Sequence, residues 1–191
     1  VACVPHAGGD RQQVIRLQDS GGVGINPTVI VDDLPMASIH NAGAIKFLLD
    51  GTFVISIGDA NNAADAQADG SLAGRILRYN ANGSVPSNNP FTGNDEYEWC
   101  RGLRNTFGLC VHPTLGLLLG TDNEGNSGSF AMADELNYLV AGRNYEWGAP
   151  AGTIPGAQVG IRLWNWPALV VPTGLTYHSG NNFPSGYADN L

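Results

Sequence analysis

Short apolar runs separated by glycine-, asparagine- and proline-bearing polar stretches alternate along this chain, and no sustained helical periodicity appears. Three of the runs share a form. Gly43-Ala44-Ile45-Lys46-Phe47, Gly108-Leu109-Cys110-Val111-His112 and Gly174-Leu175-Thr176-Tyr177-His178 each open with glycine and continue as a strand-like segment, with the glycines 65 and then 66 residues apart. The first two lead through a turn into a second apolar run, Asp50-Gly51 into Thr52 to Ile57 and Leu115-Gly116 into Leu117 to Leu119. Each second run ends in a polar step, Gly58-Asp59 and Thr121-Asp122. The pattern predicts strands near 44–48, 52–57, 74–79, 107–112, 116–120 and 173–178. Residues 131–140 read either as a short helix or as loop and strand. A repeated all-β unit with long, variable loops predicts consecutive four-stranded antiparallel blades of a β-propeller, about three of them here.

The repeat turns scattered polar residues into a candidate site. His40 stands three residues before Gly43 and Asn105 three before Gly108, so they are equivalent positions in successive units, with Arg104 beside the second. Innermost propeller strands start around a common channel, so loops feeding them bring side chains to one mouth on a rigid scaffold.

Composition fits this picture. Charged residues make up 14% of the 191 residues, while glycine and proline number 26 and 11, which suits strands and turns rather than helix bundles. No composition break divides the chain, which reads as a single domain over residues 1–191. The net charge of −8 argues against a nucleic-acid partner, because phosphate binding needs clustered cations. Acidic pairs at Asp32-Asp33, Asp95-Glu96 and Asp134-Glu135 are either solvated loop faces or oxygen ligands for a hard cation such as calcium. Cys3, Cys100 and Cys110 are too few for a disulfide framework and lack metal-ligand spacing; one bridge or free thiols both remain open. No transmembrane or signal segment is visible, as expected of a processed or excised chain. Asn82-Gly83-Ser84 is a glycosylation sequon in a secreted eukaryotic setting. Residues 59–70 and 148–160 read as long loops of the kind that form binding mouths.

Several motifs in register resemble a known family. His40-Asn41-Ala42-Gly43, Ile57-Gly58-Asp59, Leu72 to Arg78, Asn82 to Pro90, Gly102-Leu103-Arg104-Asn105, Asp134-Glu135-Leu136-Asn137 and Gly142-Arg143-Asn144-Tyr145 look like the soluble pyrroloquinoline-quinone (PQQ) sugar dehydrogenases, the glucose/sorbosone dehydrogenase family of six-bladed propellers. The resemblance runs from about Ile39 to the end. It implies PQQ- and calcium-dependent oxidation of a sugar hydroxyl outside the cytosol, in a secreted, periplasmic or extracellular protein. In that reading His40 is the base, Asp59 the carboxylate beside it, and Arg104 and Asn105 contact the quinone. A cofactor-linked calcium would be held by backbone carbonyls of the loop at Glu124, Gly125 and Asn126. A second, structural calcium region matches Asp134, Glu135 and Tyr145.

The chemistry of these residues agrees. A neutral imidazole accepts a proton from a hydroxyl near pH 7. A guanidinium and an amide bond quinone oxygens and stabilise the charge of reduction. Arg104 pairing with Asp59 and Asn105 capping a turn is the alternative. There are departures: Thr106 stands where the family has proline, Gly125-Asn126 replaces a Gly-Pro loop, and Asn144 to Pro150 interrupts an Asn-Tyr-Gly-Trp-Pro run. The family also draws cationic cofactor contacts from later blades. Three units do not close a six-bladed ring, so further blades from the same polypeptide or another subunit are expected. The competing reading is a non-catalytic secreted propeller, a structural or adhesion scaffold that lost its cofactor.

Overall fold

The structure, a computed structural model, describes residues 1–124, 133–180, 182–187 and 190–191. Among the described residues eleven strands form three antiparallel sheets, and the only helical pieces are short 3-10 turns. The first sheet is β1 (Ala2–Pro5), β2 (Arg11–Ser20) and β3 (Val23–Pro35). The second is the meander β4 (Ala42–Phe47), β5 (Phe53–Ile57), β6 (Arg75–Tyr79) and β7 (Glu98–Arg101). The third repeats it with β8 (Thr106–Val111), β9 (Leu118–Asp122), β10 (Glu135–Tyr138) and β11 (Ile161–Asn165). Two successive four-stranded meanders stacked face to face are propeller blades, and the all-β expectation holds.

Alternation explains the stacking. In β5 every residue is buried, because strand side chains point to opposite faces and both faces are covered. Phe53, Ile55 and Ile57 pack with Leu77 and Tyr79 against Val14, Val31 and Leu34 of the first sheet. Val54 faces the other way, joining Ile76, Cys100 and Leu103 against Leu109, Leu118 and Leu139 of the third sheet's side. One strand therefore supplies both cores.

A further blade does not arise where the repeat placed it. Residues 173–178 form no strand; His178 makes an isolated bridge to Asn190. The segment nevertheless lies beside β8, with Leu175 and Gly174 against Gly108 and Tyr177 ringed to His112 at 4.4 Å. A strand exists only through its ladder partners, and among the described residues this segment has no hairpin mate. The additional sheet, which packs on the β4–β7 meander, comes instead from the N-terminus, where the Gly21-Gly22 turn, both glycines at positive φ, joins the long hairpin β2–β3. The ambiguous stretch 131–140 contains β10 rather than a helix. All three cysteines are free.

Candidate active site

His40 and Asn105 enter β4 and β8, which lie side by side as the innermost strands of their blades. The loops around them are held in costly conformations. His40, Ala42, Ala60 and Asn61 all have φ between 50° and 64°, the left-handed region that non-glycine residues rarely occupy. Such residues cost about 1–3 kcal/mol each and persist only where surroundings over-determine them. Here the close approach of the two loops does so: a Cβ at Gly58 would strike the carbonyl of His40, and Ala60 N–H donates to that carbonyl at 3.3 Å.

The result is a partly buried histidine–aspartate pair. His40 Nδ1 lies 2.8 Å from Asp59 Oδ1, with the two side chains 14% and 2% exposed. Asp59 Oδ1 also accepts Asn61 N–H at 2.9 Å, and Oδ2 accepts the indole N–H of Trp147 at 2.9 Å. A carboxylate surrounded by donors is the acceptor in each bond, which assigns the proton to His40 Nδ1 and leaves Nε2 as the basic nitrogen.

Arg104 does not pair with Asp59. Asp59 N–H donates to the Arg104 carbonyl at 2.8 Å, while the guanidinium donates to Asn123 O at 2.6 Å and lies 5.5 Å from the Trp147 ring centroid. Asn105 is buried and its Oδ1 accepts Ala42 N–H at 3.1 Å, tying the β8 entry to the His40 loop. The four residues singled out by the repeat thus form one connected group.

Sequence reasoning missed two members. Asp122, the repeat counterpart of Asp59, is fully buried and accepts Arg104 N–H at 2.9 Å, Asn105 N–H at 2.8 Å and Thr106 Oγ1–H at 2.9 Å. Burial raises its carboxyl above the ordinary range, and these donors pull it partly back. In each blade the aspartate ending the second strand thereby fixes the loop that enters the first. Trp147 is the other, and its position in the Asn144 to Pro150 run was the available signal. That run is clamped by Gln67, whose Nε2 donates to Trp147 O at 2.6 Å and Asn144 Oδ1 at 3.1 Å. Gly148, at φ 80°, lets the run pass so close to Ala63 O that no Cβ would fit. The long loop 59–70 is thus part of the site's wall.

Beside Arg104 the chain carries unsatisfied polar atoms. Asn123 and Glu124 are buried, and among the described residues the polar atoms of neither side chain have a hydrogen-bond partner. Burial, then Glu135 and Asp122, push the Glu124 carboxyl well above its usual value. Orphaned oxygens of this kind fit a hard cation. The adjoining Gly125 and Asn126, expected to offer carbonyls, lie outside the described residues. Glu135 is ion-paired to Arg162 and accepts Asn137 Nδ2–H at 3.0 Å; its carboxyl is raised to about 7, chiefly by burial. Asp134 Oδ2 accepts Val170 and Val171 N–H at 2.7 and 2.8 Å, and the Tyr145 hydroxyl bonds Tyr138 O and Val140 N.

The profile described as glucose/sorbosone dehydrogenase matches residues 3–189. The chain belongs to that family. It is 26% identical to the aldose sugar dehydrogenase YliI of Escherichia coli, over 76% of this chain and 42% of that protein. A crystal structure of a putative oxidoreductase (glucose dehydrogenase) of Thermus thermophilus superposes with a TM-score of 0.83 at 30% identity, covering 93% of this chain and 55% of that one. The PQQ-bound aldose sugar dehydrogenase of Streptomyces coelicolor superposes with a TM-score of 0.76 at 26% identity, covering 92% and 52%. The chain therefore spans about half the length of these relatives.

Proposed function

We propose that this chain is the part of a PQQ-dependent sugar dehydrogenase that carries the proton-accepting base, within one partial propeller domain spanning residues 1–191. The observation that carries the reading is the His40–Asp59 pair standing beside Arg104 at the entries of two adjacent inner strands. The PQQ-bound relative, similar over 92% of this chain, supports it.

The residues suit the cofactor. Arg104 offers a fixed cation and Asn105 an amide to an anionic, oxygen-rich quinone. Glu124 and Asn123 would offer side-chain oxygens to a calcium ion. Bound there, PQQ supplies the acceptor for the hydride of the sugar C–H bond. The chain's own task is the proton. His40 Nε2 accepts it from the substrate hydroxyl on the oxidised carbon, and Asp59 stabilises the resulting imidazolium through Nδ1–H. Trp147 holds Asp59 by its N–H and carries the Arg104 guanidinium over its ring, so base and cation keep their spacing.

The whole protein acts in this reading on an aldose outside the cytosol, with an electron acceptor still to be found and with further blades completing the ring. Reconstituting the full-length protein with PQQ and calcium should give aldose-dependent dye reduction. Absence of PQQ binding would instead leave the non-catalytic propeller.

A further inference from the structure

Arg162 occupies the middle of the region matched to a structural calcium. It stands on β11 opposite Asn137 of β10. Its Nε pairs with Glu135 Oε1, its NH1 donates to Glu146 Oε2 at 2.8 Å, and its NH2 donates to the Tyr145 carbonyl at 2.7 Å. Glu135 is 2% exposed at its side chain, and its second oxygen is taken by Asn137. The Tyr145 hydroxyl is spent on the β10 end, and one Asp134 oxygen on two backbone N–H groups. Both Glu135 oxygens, Glu146 Oε2 and the Tyr145 carbonyl are thus claimed by protein donors, and a guanidinium sits among them. The buried oxygens left without a partner among the described residues are Asp134 Oδ1 and Asn137 Oδ1, too few by themselves to hold a divalent ion. An added ion at Glu135 would have to displace that charge or lie against it. Burial works against the guanidinium's charge, but Glu135 and Glu146 outweigh it and hold its pKa above the ordinary value.

We propose that Arg162 is a built-in cation that replaces a divalent ion at this junction, so that β10, β11 and the Tyr145–Glu146 turn are locked together without calcium. An arginine fork suits the task, because its donors reach two carboxylates and a carbonyl at fixed angles. The consequence is one fewer calcium per chain than the family resemblance implies. The inference rests on family membership and not on the reaction proposed above, and its test reads metal rather than activity.

Calcium stoichiometry should be measured by titration calorimetry on the full-length, PQQ-free protein, its Glu135→Gln and Arg162→Gln variants, and the double variant. Glu135→Gln should bind as many calcium ions as wild type. Arg162→Gln should gain one ion per chain, with a calcium-dependent rise in Tm, and the double variant should lose that gain. Loss of one ion in Glu135→Gln alone would overturn the proposal, as would an Arg162→Gln protein that folds and gains none. Should Arg162→Gln fold only in calcium, that dependence is the predicted gain. Should it fold in neither condition, the comparison of wild type with Glu135→Gln decides.

Discussion

His40 holds a left-handed backbone conformation at φ 57°, and its imidazole is fixed by a carboxylate that two further hydrogen bonds immobilise. Such a base loses most of its value when truncated. In the full-length protein His40→Ala should lower turnover by roughly 100-fold or more, with PQQ affinity changed much less. Arg104→Ala should weaken cofactor binding as well as rate; a wild-type rate in His40→Ala would remove the histidine from the mechanism. Trp147 permits a finer test. Trp147→Phe keeps a ring beneath Arg104 but withdraws a donor from Asp59, a loss of about 1–2 kcal/mol, or roughly ten-fold in kcat/KM. Trp147→Leu removes both and should fall further, while equal activity of the two would confine its part to the hydrogen bond. His40, Asp59, Arg104 and Asn105 were legible because the strand repeat put them at equivalent or paired positions. Trp147 was not, since it meets Asp59 across 88 residues of chain, and nothing in a local pattern encodes that closure.

At the scale of elements, legibility followed the hydrophobic signal. β4, β5, β6, β8 and β9 were read to within a residue or two because apolar residues dominate them. β7 escaped because Glu98 and Arg101 make half of it look solvated. Glu98 is buried all the same, accepting Arg75 Nε–H and Arg101 Nε–H at 2.7 Å each. Arg75 itself is wholly buried and also donates to the carbonyls of Asp65, Ala68 and Ala73. Breaking such a pair leaves an uncompensated charge in the core, so Glu98→Ala should cost about 3–5 kcal/mol in denaturant unfolding. A loss below about 1 kcal/mol would show that water reaches the pair. The same cores shield thiols: Cys100 and Cys110 are buried, and burial raises the Cys100 thiol well above its usual pKa. Alkylation followed by peptide mass spectrometry should label both only after unfolding. Rapid native labelling of Cys100 would mean that the second and third sheets separate readily.

At the scale of the whole molecule the sheets are unevenly covered. Its inner sheet has both faces covered, but the third sheet is packed on one side and turns Leu163 and Trp164 of β11 outward, followed by exposed Leu169, Val170 and Val171. Segment 173–178 already lies along β8, as β8 lies along β4, yet forms no strand of its own. The relatives on which the chain superposes are about twice as long. Covering apolar surface is worth roughly 25 cal/mol per Å², so several hundred Å² left bare removes a large part of the margin of a domain stable by about 5–15 kcal/mol. The isolated 191-residue chain should therefore associate in water, and light scattering should find dimers or larger species rather than a monomer. Extending the chain through the next blades should restore a monodisperse, cooperatively unfolding particle. A monomeric, cooperative 191-residue fragment would show instead that residues 161–191 fold back to close the open face, and the blade count drawn from the repeat would need revision.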